Sequence, residues 1–346
     1  MFEFLAIIIL IVTSFGIYGL LALSLNLQMG YAGQLNLGQV MFFAVGAFAS
    51  GWLTVNLFGL LVPSSGGLFS SQATVARSVF GASHPVIELG VFLLAVLFAT
   101  GVGAFIGYFI AIPVARIEQA YLAIILLALA EITQDIGITY EPLINGSFGI
   151  IGIPGPFDWI PNYDYVQILF AIVSLVTLGL VYFGLERLTN SPYGRLLRST
   201  RDDELASQAI GKDTYRLKRE VMTIGGGIAG MAGAFYVFYL ETVQAESFDL
   251  TVTAFVFAIV LLGGLGSNRG VLVGALLLTT SSVLFTVMEG TALAHYVPFS
   301  LGYVHQMLIG VVLILVFALR PGGLIPEKPI KTPAWKLISD EPEKAS

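Results

Sequence analysis

One threading of the apolar segments puts fifteen of this chain's sixteen Lys and Arg residues on the same side of a membrane. The composition agrees with a chain solvated by lipid. The 346 residues are 56% hydrophobic and 11% charged, with a mean hydropathy of +0.87, where soluble domains carry about 25% charged residues. Apolar runs fall near 4–28, 34–58, 89–114, 119–140, 165–185, 221–240, 251–263, 270–288 and 303–319. A helical span needs about 20 residues, and most of these runs reach that length. The 251–263 run is short and predicts a half-helix or re-entrant limb. The fold class is all-α and polytopic, with about 8–10 spans or half-spans in the cell membrane.

Cations concentrate in cytoplasmic loops, which orients the chain. Residues 186–220 hold Arg187, Arg195, Arg198, Arg201, Lys212, Arg216, Lys218 and Arg219, so this loop is placed inside. Alternation then brings Arg116, Arg269, Arg320 and four tail lysines inside, and leaves Arg77 outside with eleven acids. The N-terminus falls outside and the C-terminus in the cytoplasm. Met1-Phe2-Glu3-Phe4 lacks a basic leader and no small-residue cleavage site follows, so the first run is expected to stay as a span. Residues 1–325 read as one membrane domain and 326–346 as a polar cytoplasmic tail. The outer loops are 59–87, rich in Gly and Ser, and 141–164, where Pro142, Pro154, Pro156 and Pro161 break helices. Trp159, Tyr163 and Tyr165 sit where an interfacial belt belongs.

Two glycine-rich breaks interrupt this pattern at the inner ends of paired apolar runs. The first is Gly30-Tyr-Ala-Gly-Gln-Leu-Asn-Leu-Gly-Gln39. Irregular backbone at membrane depth is tolerated only against protein or a watery cavity, and breaks in corresponding halves point to a transport site. Asn26, Gly30 and Gly33 are spaced i, i+4, i+7 along one helical face. One reading makes Asn26, Gly30, Gly33, Gln34, Asn36, Gly38 and Gln39 a pathway lining or gate. The other makes them a tight inner turn whose amides cap helix ends. The second break, Leu262–Gly270, adds Gly263, Gly264 and Gly266 to the pathway candidates as a re-entrant hairpin. Its alternative is a close-packed cytoplasmic hairpin, with Arg269 snorkelling to the surface.

Other features carry less chemistry. Gly46-x-x-x-Ser50, Gly103-x-x-x-Gly107 and Gly226-x-x-x-Gly230-x-x-x-Ala234 allow close helix approach in lipid. Glu131 and Asp135 lie near the end of a span and read as a solvated helix end or as a proton relay. Glu241, Glu246 and Asp249 suit an outer surface. His84, His295 and His305 are scattered, so no metal site is assigned. Cysteine is absent, and no Gly-x-x-x-x-Gly-Lys-Ser/Thr phosphate loop or nucleophile–base pair occurs.

The basic loop is the most legible segment. Thr200 with Asp203, or Ser199 with Asp202, forms an N-cap pattern. Gly211 supplies a helix stop, and Asp213 or Thr214 can cap the next helix. These signals predict one helix of about ten residues. Leu205, Ala206, Ala209 and Ile210 make its apolar face, while Arg201, Asp202, Asp203 and Gln208 surround it. Such a helix either connects two spans or seats in a partner's groove.

Arg198-Ser-Thr-Arg-Asp-Asp-Glu-Leu-Ala-Ser-Gln-Ala-Ile-Gly211, Tyr215-Arg-Leu-Lys218 and Gly225–Gly233 resemble the coupling region of branched-chain amino-acid ABC transporter permeases. The Gly30–Gln39, Leu262–Gly270 and Arg320-Pro-Gly-Gly-Leu324 segments are similar to that family's early and late signatures, in the same order. The Arg-Asp-Asp-Glu loop is closer to the M-type subunit than to the H-type. The resemblance implies an ABC importer permease fold, a second permease subunit (a paralogue), two cytoplasmic ABC ATPases and an extracytoplasmic solute-binding protein. It implies no enzyme activity or cofactor in this chain, ATP and Mg being used by the partners, and it implies no nucleic acid. The residues implied to couple to the ATPase are Arg201, Asp202, Asp203, Glu204, Leu205, Ala206, Ala209, Ile210 and Gly211. The general Glu-Ala-Ala pattern is met only in part, with Glu204 one position early. The family also takes in urea and short-chain amide permeases. A secondary carrier using Glu131 and Asp135 is the main rival outside it.

Overall fold

A computed structural model describes residues 2–62, 67–114, 117, 119–289, 301–320 and 322–327. Pro63–Gly66, Arg116, His295 and the tail lysines lie outside the described residues. The chain is a helical bundle. Among the described residues, eight helices are long and apolar enough to cross a membrane, and Gly302–Val316 is a shorter apolar helix.

Helix α1 (Phe2–Leu25) continues into a π-helical turn, Asn26–Tyr31, before the irregular stretch that ends at α2 (Gln39–Leu61). After α2 come α3 (Ser71–Ser83), α4 (Pro85–Val114), α5 (Gln119–Thr139), α6 (Glu141–Ile144) and α7 (Tyr163–Thr189). The basic loop forms α8 (Pro192–Asp202) and α9 (Glu204–Ala209), and α10 (Thr214–Leu240) follows. The last helices are α11 (Leu250–Gly263), α12 (Asn268–Glu289) and α13 (Leu301–Leu319).

Helices α2 and α10 are the most enclosed spans. Small residues make that possible. A Cβ at Gly46 would strike the Gly230 backbone, and one at Gly103 or Gly107 would strike the backbone of α10 at Gly226 or Met222. In lipid, where apolar surface alone does not drive helices together, this backbone-to-backbone approach supplies the packing. Around that core, α1 packs between α7 and α12, and α11 pairs with α12.

The two expected outer loops contain more structure than their composition suggested. Residues 71–83 form α3, capped by Ser70, whose Oγ accepts from Ala73 N at 3.2 Å. Arg77 is buried there, donating to the Leu68 carbonyl and to Thr74 Oγ1. In the second loop Pro142 does not break a helix. It sits in the first turn of α6, where its missing N–H costs nothing. Residues Ile150–Ile151 (β1) pair antiparallel with Thr242–Val243 (β2), in the register Ile150 to Val243 and Ile151 to Thr242.

Candidate coupling junction

The basic loop folds from its caps. Ser191 Oγ accepts from Tyr193 N at 3.1 Å, and Pro192 occupies the first turn, so α8 starts well before Thr200. Ser199 and Thr200 therefore lie inside α8 and donate back to the Leu196 carbonyl at 2.8 and 3.0 Å. The expected single helix beginning at Thr200 is thus two helices. The break is Asp203, extended at φ −153°, whose carboxylate accepts from Ala206 N at 2.9 Å and caps α9. Gly211 does end the segment, with φ +77°, a conformation glycine adopts without penalty. Asp213 caps α10 by accepting from Arg216 N at 3.0 Å.

Glu204 fixes α9 to α10. One carboxylate oxygen accepts from Lys218 Nζ at 2.7 Å, and the other from Thr214 Oγ1 at 3.2 Å. Leu205 and Ile210 are left 77% and 71% exposed, with Ala206 and Ala209 beside them on the surface. The sequence predicted this apolar face, and the structure presents it uncovered on a short, doubly capped helix.

On the other side of the loop, α8 grips both glycine breaks. Arg201 donates to the Gly30 carbonyl and, at 2.8 Å, to Glu327 Oε2. Arg198 donates to Glu327 Oε1 at 2.6 Å, and its guanidinium stands 5.0 Å from the centre of the Tyr31 ring. These ion pairs are partly shielded, with side-chain exposures of 14% to 26%. Gly33, at φ +68°, lies against the Arg201 backbone, and Gly266, at φ +74°, lies against the Glu327 carboxylate. Glu327 is carried there by the segment after α13. Leu324 N donates to the Leu262 carbonyl and Ile325 N to the Gly263 carbonyl, at 2.9 and 3.0 Å.

The two breaks also touch each other. Asn26 Oδ1 accepts from Gly266 N at 3.0 Å, and Asn26 Nδ2 donates to Asn268 Oδ1 at 2.9 Å. Asn268 in turn donates to Glu186 Oε2 at 3.1 Å. Asn36 donates to the Gln28 side chain and to Gln39 Oε1, and accepts from Gly38 N at 2.9 Å. Gln39 Nε2 donates to Ser24 Oγ at 2.9 Å. Buried polar groups are normally bonded, and this network bonds Asn26, Asn36 and Gln39, while Gln28 Nε2 and Gln34 Oε1 stay buried without a partner.

Residues 7–317 match the family described as branched-chain amino acid transport system / permease component. The chain belongs to that family. It is 36% identical to the probable branched-chain amino acid transport permease protein LivM of Methanocaldococcus jannaschii, over 95% of this chain and 96% of that one. It is 29% identical to the high-affinity permease LivM of Salmonella typhimurium, over 94% of this chain and 71% of the relative. To LivH of the same organism it is 24% identical, over 89% of this chain and 91% of the relative. No solved structure matches.

The permease's predicted residues sort into three groups. Leu205, Ala206, Ala209 and Ile210 form the open face, with Asp202 and Gly211 exposed at its borders. Arg201, Asp203 and Glu204 act within the chain, as anchor, cap and tie. Asn26, Gly30, Gln34, Asn36, Gly38 and Gln39 are buried, and the amides of Asn26, Asn36 and Gln39 bond inside the chain. Gly33 leaves the helical face expected to hold it with Asn26 and Gly30, because its positive φ turns the chain. Gly263 is a contact point, where a side chain would strike the Gly270 carbonyl. Glu131 and Asp135 are exposed on α5. Glu327, Arg198, Tyr31 and Asn268 were not singled out as site residues. Only the crowding of cations at 195–201 hinted that an acid must come to meet them.

Proposed function

We propose that this chain is the M-type permease subunit of an ABC importer for branched-chain and other aliphatic amino acids. The family match across residues 7–317 carries this reading. The loop 186–220 faces the cytoplasm, with the N-terminus outside and the C-terminus inside. A paralogous H-type subunit completes the membrane pair, consistent with relatives named LivM and LivH. Two cytoplasmic ATPases supply ATP hydrolysis, and an outer binding protein delivers substrate.

The chain's own contribution is mechanical. An ATPase groove takes the open face of Leu205 and Ile210, as amphipathic helices commonly dock. Motion of α9 passes through the Asp203 hinge to α8. Arg201 and Arg198 then carry it to Gly30, Tyr31 and Glu327. From there it reaches α1, the α11–α12 turn and the segment after α13 together. Substrate needs only a different affinity in the two resulting states for import to proceed. The buried amides serve as the joint of this lever, in keeping with the inner-turn reading of the first break.

Uptake of leucine into vesicles holding the assembled complex tests the proposal. Uptake should require internal ATP and the binding protein, and should survive the double change Glu131→Gln, Asp135→Asn. ATP-independent uptake by this chain alone, or loss of uptake in that double variant, would favour a secondary carrier instead.

A further inference from the structure

Asn26, Asn36 and Gln39 bond inside the chain, and a second surface with polar groups opens between α11 and α13. The geometry points to the groove between α11 and α13 as this chain's half of the translocation pathway, shaped for an aliphatic amino-acid zwitterion. This deepens the importer reading and rests on it.

The groove has a volume of about 750 Å³, within the range of about 300–1,000 Å³ typical of small-molecule sites. Its lining is mixed. Phe255, Ala258, Ile309 and Leu313 give an apolar wall, while Tyr18, Asp249, Ser282, His305 and Gln306 bring polar groups to it. Tyr18 stands edge-on to Phe255, with ring centres 5.2 Å apart. His305 is buried, with Nε2 3.1 Å from Ser281 Oγ and its ring against Phe285. The groove between α2 and α4 makes a useful contrast. Leu53, Leu57, Leu94, Leu97, Phe98 and Phe105 line it with hardly a polar atom, as expected of a surface that meets acyl chains.

The position of Asp249 strengthens the assignment. Helix α11 starts at Leu250, within the 19-residue apolar stretch Ala245–Gly263, so Asp249 stands near the outer end of a span. Asp249 at its start is exposed within this chain. It already caps α11, accepting from Thr251 N at 3.1 Å and Thr251 Oγ1 at 2.8 Å. A carboxylate at the end of a span beside an apolar groove faces water, a partner or a passing ligand. Substrate ammonium sits at Asp249, its carboxylate is met by Gln306 and Ser282, and the branched side chain lies on Phe255 and Ile309.

The chain has no cysteine, so Ala254→Cys gives it a single thiol on the groove. In the complete complex in vesicles, a small water-soluble thiol reagent should label this chain. Leucine with ATP and the binding protein should slow labelling about tenfold, equivalent to about 1.4 kcal/mol. Gly310→Trp provides a second readout, because a Cβ at Gly310 has nothing within 4 Å, so the ring fills the groove without disturbing the backbone. It should cut leucine uptake about tenfold while ATPase activity and assembly persist. Unprotected labelling, labelling only by an apolar membrane-permeant reagent, or normal uptake by Gly310→Trp overturns the groove while wild-type import upholds the importer reading. Failure of the wild-type complex to import leucine overturns both.

Discussion

The two glycine-rich breaks look alike in sequence and are built differently. At 30–39 the backbone leaves helical geometry, and side-chain amides fill the gap with hydrogen bonds. At 263–270 the side chains vanish so that backbones can meet. A Cβ on Gly263 would strike Gly270, one on Gly270 would strike Gly263 and Ile325, and one on Gly274 would strike Ile259. The lesson is that glycine alone does not separate a joint from a contact. The balance of neighbours does, with the bonded amides Asn36 and Gln39 at the first break against Asn268 alone at the second.

The largest expected effect comes from treating the contact as a joint. Gly270→Leu pushes a branched side chain into two carbonyls and should cost about 3 kcal/mol or more, read as loss of the assembled complex on thermal melting in detergent. Asn26→Leu attacks the first break. It strips Gly266 N and Asn268 Oδ1 of partners and should cost about 1–3 kcal/mol by the same measurement. If Asn26→Leu proved neutral while Gly270→Leu was severe, both breaks would be packing features and the distinction would fail.

Gly211→Pro moves the test to the far side of the junction. Proline fixes φ near −65°, whereas Gly211 holds +77° and donates its N–H to the Gln208 carbonyl at 2.9 Å. Membrane insertion should survive while leucine uptake falls and ATP hydrolysis continues. Normal uptake would remove α9 from the coupling path.

The smallest effect lies at the opposite end of the bundle. Burial raises Asp158 above the usual carboxylate range, against a hydrogen bond from Gly155 N. Burial and then the Asp158 charge raise Glu241. Acids raised in the folded state bind protons more tightly there than when unfolded, so their contribution is full at low pH and is lost as pH rises through the raised values. Stability should decline across that window, and Asp158→Asn should flatten the slope.

Hydropathy made most of the bundle readable, since a span must satisfy its own backbone and stay apolar. The Gly211 stop, the Asp213 cap and the apolar face of α9 were all legible, because each is a local signal. The Asp203 break was not. Ser199, Thr200 and the acids after them form an acceptable cap pattern, but Ser191-Pro192 starts a helix earlier and absorbs them. Glu327 escaped notice because its partners lie 129 and 126 residues away in sequence, and no local pattern encodes that meeting. Gln34, Asn36 and Gln39 were correctly seen as unusual. Whether a buried amide faces a cavity or another amide depends on tertiary neighbours, which spacing does not reveal.

The lever itself is tested most directly at Arg201. In vesicles carrying the complete complex, leucine imported per ATP hydrolysed should be measured for the wild type, Arg201→Gln and Glu327→Gln. Both variants should assemble and hydrolyse ATP while the ratio drops sharply. An unchanged ratio in both would contradict the claim that α8 drives the two breaks through these side chains.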